Sequence, residues 1–264
     1  MKSTTMIASA LSALAIGLAV AAVGGIGGIE SNDAAAAASR SGGNGGLPQG
    51  SEPVHLDPED FTTKIDNRYW PMRPGSRWVY RERDTEGTNQ KVVVEVTSKT
   101  KTIANGIVAR VIRDTVSEKG VPVEITDDWY AQDKRGNIWY LGEYVTNYED
   151  GRVVDHDGSF EAGVDGAQPG IAMPAKPKPG LSYRQEYYKG VAEDKAAVIT
   201  IDEEQVEVPF GFFKKGVLMT RDLVPLESKV QELKFYAPGV GPVLSVHTDG
   251  AGGRGVLVSF TKGG

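Results

Sequence analysis

The run Thr102-Ile103-Ala104-Asn105-Gly106-Ile107-Val108-Ala109-Arg110-Val111-Ile112 decides the fold class. Its two β-prone arms flank Asn-Gly, whose residues both tolerate positive φ, and so read as a hairpin. On the N-terminal side, Arg77-Trp78-Val79-Tyr80-Arg81 alternates large apolar with charged side chains, and Lys91 to Thr97 continues with Val92, Val93, Val94 and Val96. A period of two puts opposite characters on opposite faces of a strand. On the C-terminal side, turns are marked by Lys134-Arg135-Gly136-Asn137, Glu149-Asp150-Gly151 and Asp249-Gly250. Pro169, Pro174, Pro177 and Pro179 read as one long connection outside any sheet interior. No window carries a convincing helical period. The expected class is all-β.

Two parts of the chain resemble each other at an offset of about 105–110 residues. Arg73-Pro74-Gly75 before Trp78 recurs as Lys178-Pro179-Gly180 before Tyr183. Gly106-Ile107-Val108 leading to Arg113-Asp114-Thr115-Val116 recurs as Gly216-Val217-Leu218 leading to Arg221-Asp222-Leu223-Val224. Trp129-Tyr130-Ala131 recurs as Phe235-Tyr236-Ala237, with Gly136 and Ile138 matching Gly241 and Val243. The repeat spans about 70–142 and 176–246, and 143–175 reads as an unmatched insertion. Half a barrel exposes unpaired edges, so two halves joined edge to edge predict a single antiparallel β barrel or strongly curved sheet. That domain is expected over 61–264.

Lys2 followed by the uncharged run Met6 to Val23, with small residues at Ala34 to Ala38, reads as a cleavable signal peptide over 1–38. The competing reading is a retained anchor. Residues 39–60 read as a flexible linker. The chain has 264 residues, 40% of them hydrophobic, a formal net charge of −6 and no cysteine. Disulfides, thiol catalysis and thiolate metal sites are excluded, and the acceptor for a lipoprotein anchor is missing. Scattered basic residues under a negative net charge argue against nucleic acid.

Three constellations carry chemistry. Asp128, Glu143 and Glu186 lie near aromatic residues and are candidate acids of a carboxylate-dependent hydrolase acting on envelope or extracellular polysaccharide. Asp127 and Asp128 point to opposite faces of a strand and cannot act as a local pair. Asp155, Asp157 and Glu161 are candidate calcium ligands, although the spacing is not that of an EF-hand. Trp129, Trp139, Tyr140 and Tyr187 are candidate ligand-binding rings for an apolar or amphipathic molecule on a concave face. The three histidines, His55, His156 and His247, form no recognisable triad or zinc motif. Gly250-Ala251-Gly252-Gly253-Arg254-Gly255 matches a dinucleotide fingerprint formally, but it sits between two strands and reads as a hairpin loop.

The runs Asp128-Trp129-Tyr130-Ala131-Gln132-Asp133, Gly136-Asn137-Ile138-Trp139-Tyr140-Leu141-Gly142-Glu143 and Tyr236-Ala237-Pro238-Gly239-Val240-Gly241 resemble a family of uncharacterised exported bacterial β-rich proteins. So do Phe160 to Ala167 and Arg184-Gln185-Glu186-Tyr187-Tyr188-Lys189-Gly190. The resemblance implies an extracytoplasmic domain and transfers no activity. In architecture the expected barrel is similar to open-barrel lipoprotein carriers, by analogy of fold alone. These readings converge on a secreted or envelope-associated binding module with no required cofactor. The alternatives are the hydrolase and a structural or interaction domain with an optional calcium site.

Overall fold

The period-two alternation seen in Arg77 to Arg81 recurs in other stretches of the chain, and there it decides which side chains enter the interior. The computed structural model describes residues 46–84, 87–227, 231–248 and 252–264. The expected signal peptide, 1–38, lies outside the described residues, as does the Asp249-Gly250 turn. A 3-10 turn (Pro58–Asp60) precedes β1 (Phe61–Thr62). A first meander runs through β2 (Arg77–Arg83), β3 (Asn89–Thr102), β4 (Val108–Glu118), β5 (Val121–Asp133) and β6 (Ile138–Glu149). Short strands β7 (Arg152–Asp155) and β8 (Phe160–Glu161) lead to β9 (Gln168–Met173), and then to β10 (Ser182–Arg184) and β11 (Glu186–Tyr187). A second meander follows with β12 (Lys195–Ile201), the hairpin β13 (Val206–Val208) and β14 (Gly211–Phe213), then β15 (Leu218–Leu223), β16 (Gln231–Ala237), β17 (Gly241–His247) and β18 (Arg254–Thr261). Among the described residues there is no α-helix, and no helix long and apolar enough to cross a membrane.

The main sheet runs β10-β12-β15-β16-β17-β18-β2-β3-β4-β5-β6-β9-β11, with antiparallel neighbours throughout. Its two end strands, β10 and β11, are consecutive in the chain and separated only by Gln185. The chain therefore passes from one edge of the sheet to the other, making a nearly closed barrel. β18 joins the second meander to the first through β2, and β9 joins the first to the second through β11. The two Pro-Gly turns do the same work in each meander. Gly75 N–H donates to Val96 O (2.8 Å) and Val96 N–H to Ser76 O (2.9 Å). Gly180 N–H donates to Val198 O (2.9 Å) and Val198 N–H to Leu181 O (2.8 Å). Both glycines sit at φ 84°, a left-handed conformation that favours glycine.

Two local expectations are corrected. Asn105-Gly106 does join β3 to β4, but through a loop wider than a two-residue turn. The Asn105 side chain accepts from Ile107 N–H (3.1 Å), holding the loop open in its own hydrogen-bonded shape. Pro169, read as part of a connection, lies inside β9 and pairs with Glu186. A proline is tolerated there because Pro169 precedes the pairing of β9 with β6, which begins at Gly170, so no bond to β6 needs its missing N–H, and its carbonyl is taken by a side chain.

That side chain is Arg184, only 1% exposed. Its guanidinium donates to Pro169 O (3.2 and 2.9 Å), to Glu52 O (2.7 Å) and to Gly50 O. Arg184 thus ties the two edges of the barrel together and fastens the N-terminal segment over the join. Gln49 adds bonds to Ser182, through its amide to Ser182 O (2.7 Å) and from Ser182 Oγ (2.9 Å). Residues 46–60, read as the end of a linker, lie against the barrel here. Close approach at the seam also needs Gly170, where a Cβ would stand 2.1 Å from the Gln185 carbonyl oxygen. Replacing Arg184 by methionine is expected to cost about 2–3 kcal/mol by stranding buried carbonyls. Urea unfolding checks this, and an unchanged midpoint would mean that the seam holds without the guanidinium.

Candidate functional site in the acidic barrel interior

On β5, Glu124, Thr126, Asp128 and Tyr130 are spaced by two and all are buried. The same spacing brings Trp78, Tyr80 and Glu82 inward from β2, and Glu232, Lys234 and Tyr236 inward from β16. Nine carboxyl side chains are buried among the described residues, against two buried cations, Arg184 and Lys234. Arg184 is spent on backbone carbonyls, so the interior is strongly acidic.

In the second meander the charges are paired. Lys234 Nζ lies 2.9 Å from Asp222 and 3.1 Å from Glu232. Thr220 Oγ1 donates to Asp222 (3.0 Å), and Gln185 Nε2 reaches its other oxygen (3.3 Å). Burial works against the Lys234 charge, but Asp222 and Glu232 outweigh it and hold the ammonium well above its ordinary range.

Among the described residues the first meander buries no such cation. Asp128 and Glu143 are cross-strand partners on β5 and β6, 3% exposed each, and Glu186 is 2% exposed on β11. The Tyr140 hydroxyl donates to Asp128 Oδ1 (2.9 Å). Burial nevertheless pushes the Asp128 carboxyl up to about 8, with the Glu124 and Asp127 charges adding to it. Glu143 is raised well above the usual carboxylate range by burial and then by Asp128, Glu186 and Glu124. Burial raises Glu186 too, helped by the charge of Asp194 and a hydrogen bond shared with it. Asp114 on β4 is raised by burial and by Asp128, Glu124 and Glu82. Asp114 Oδ1 and Glu186 Oε2, like Glu232 Oε1 in the second meander, are buried and accept no hydrogen bond. Such orphaned acceptors cost free energy, and low dielectric makes the cost high.

One part of the interior is aromatic. Trp70 packs against Tyr130 (5.9 Å between centroids) and Tyr236 (6.1 Å). Tyr130 stacks on Tyr140 (5.0 Å), and Tyr140 meets Phe160 edge-on (5.6 Å). The Asp128 carboxyl meets the hydroxyl end of Tyr140, so acid and aromatic surface adjoin here, a combination suited to a cation with an apolar body.

The structure brings Asp128, Glu143 and Glu186 together, and Tyr140 with them. They are not solvated strand residues, because the barrel closes over the face they occupy. Trp129 and Trp139 point the other way. Lys101 sits over the Trp129 ring (4.4 Å), and Phe61 packs edge-on against Trp139 (6.2 Å). Tyr187 neighbours Glu186 on the opposite face of β11. Asp127 is likewise outside, clasped by Arg113 with bonds of 2.8 and 2.7 Å. Asp155 accepts from Asn147 Nδ2 (2.6 Å) and Asp157 N–H (3.1 Å), while Glu161 pairs with Lys101 (3.0 Å) and Ala104 N–H (2.7 Å). Among the described residues no group of three or more His, Asp or Glu side chains is arranged to hold a metal ion. His156 bonds Val145 O (2.7 Å) and stacks on Tyr144, while His247 lies 3.9 Å from Glu232. Sequence reading passed over Asp114, Glu124, Asp194, Asp222 and Lys234. The signal available for them was the spacing by two that links Glu124 to Tyr130 and Glu232 to Tyr236.

The fold and site define an all-β barrel with a buried, mainly acidic interior. No family model matches the chain, and no curated protein matches it. One solved structure, a "putative lipoprotein" from Parabacteroides distasonis, aligns over 74% of this chain and 99% of its own, at 15% identity and a TM-score of 0.39.

Proposed function

We propose that this chain is an exported binding module that takes an amphipathic small molecule into the barrel. The apolar part would lie against Trp70, Tyr130 and Tyr140, and the polar head among the interior carboxyls. The observation that carries the reading is the set of buried acids in the first meander. Burying carboxyls costs stability unless they are paired, and a core built for packing alone would place apolar residues there. Titratable groups perturbed by both burial and one another mark candidate functional sites. Export rests on the charged and apolar character of residues 1–38. Native mass spectrometry of the chain purified from its own host tests the reading, with a retained amphipathic molecule as the expected result. A bare mass, together with no change in tryptophan emission on adding twelve-carbon amphiphiles of any charge, would remove it.

A further inference from the structure

The two meanders differ at several equivalent register positions, and one of these differences names a ligand chemistry. On β15 and β16, Thr220 is opposite Lys234 and Asp222 is opposite Glu232. On β4 and β5, Ile112 is opposite Asp128 and Asp114 is opposite Thr126. In each case the first residue named lies two before an aspartate, and the last strand continues two residues later into an inward tyrosine, Tyr236 or Tyr130. Asp114 therefore occupies the place of Asp222, and Asp128 the place of Lys234. Where one meander supplies its own ammonium between acids, the other supplies a further carboxyl. Glu143 stands opposite Asp128, where Ser245 stands opposite Lys234. Asp114 Oδ1 and Glu186 Oε2, both on inward-facing side chains 2% exposed, have no hydrogen-bond donor.

We propose that the head group bound in the barrel is a primary ammonium, seated among Asp114, Asp128, Glu143 and Glu186 as the Lys234 ammonium is seated between Asp222 and Glu232. An alkylamine is protonated at neutral pH, with a pKa near that of lysine at about 10.4. It carries three donors, which suits a seat where Asp114, Glu143 and Glu186 all feel the Asp128 charge. The stacked Tyr130 and Tyr140 rings adjoin the seat through the Tyr140 hydroxyl and offer apolar surface to the carbon chain. This inference rests on the binding reading above.

The test compares dodecylamine, dodecanol and laurate binding to the full chain by titration calorimetry. Dodecylamine is expected to bind at least about 10-fold more tightly than dodecanol, a difference of about 1.4 kcal/mol, and laurate most weakly. Asp128→Lys places an ammonium in the seat from within, and should lower dodecylamine affinity about 10-fold more than dodecanol affinity. Asp128→Asn removes the ionisable carboxyl with almost no change of shape. It gives the same comparison if the lysine variant does not fold. Equal binding of all three amphiphiles, or an amine preference that survives both substitutions, overturns the ammonium seat and leaves the binding module standing. No binding of any of the three overturns both.

Discussion

Replacing Lys234 by methionine is expected to destabilise the fold by about 3–5 kcal/mol, among the largest effects a single substitution can have here. The side chain fills similar space, so packing changes little. What is lost is the ammonium between Asp222 and Glu232, at 2.9 and 3.1 Å, with both carboxyls less than a tenth exposed. Breaking a buried ion pair from one side leaves uncompensated charge in low dielectric, which costs more than the pair contributed. Urea denaturation followed by circular dichroism measures the loss. Lys101→Met is the control, because its contact with Glu161 is partly solvated and should be worth less than about 1 kcal/mol. If both variants lose equally little, the Lys234 cluster is not closed to water.

Acidification from pH 8 to pH 5 is expected to stabilise this protein, against the usual trend. Asp114, Asp128, Glu143 and Glu186 all have carboxyls raised in the folded state by burial, Asp128 to about 8. In the unfolded chain the same groups release their protons near pH 4. Below that point both states are protonated, and the contribution of these groups is fully present. As pH rises through the unfolded value and towards the folded one, the native state holds protons that the unfolded chain has lost. Stability then falls by about 1.4 kcal/mol per pH unit for each extra proton held. The four groups interact, so their protons leave as a set. Melting temperatures between pH 4.5 and 8.5 give the slope, and Asp128→Asn should flatten it by about one proton's worth. A melting temperature that climbs steadily from pH 5 to 8 would mean that the acids are ionised inside the barrel.

Much of the scaffold was legible along the chain because its determinants are local. The alternation in Arg77 to Arg81 placed Trp78 and Tyr80 on one face, and both are buried. Gly136, Asp150 and Gly151 mark turns that the structure retains, with positive φ at each. Gly75 and Gly180, which share a Pro-Gly sequence, make matching hydrogen bonds to Val96 and Val198. Pro169 was misread because its missing donor argues against a sheet interior, while the acceptor that Arg184 uses is set by distant parts of the chain.

The site was legible only in part. Asp128, Glu143 and Glu186 stood out as acids near aromatics, yet the rings expected to bind with them divide between the two faces of the sheet. Tyr140 goes inward, while Trp129 and Trp139 are covered from outside by Lys101 and Phe61. Period two assigns each side chain a face, so the sequence by itself determined the all-β class, the alternation and most of the turns. Whether a face becomes interior or surface depends on where the sheet closes, and that was decided only by tertiary structure. The decisive contacts join β9 to β11 and Arg184 to Pro169, and they turn a stripe of carboxyls that would otherwise meet water into a buried, proton-holding site.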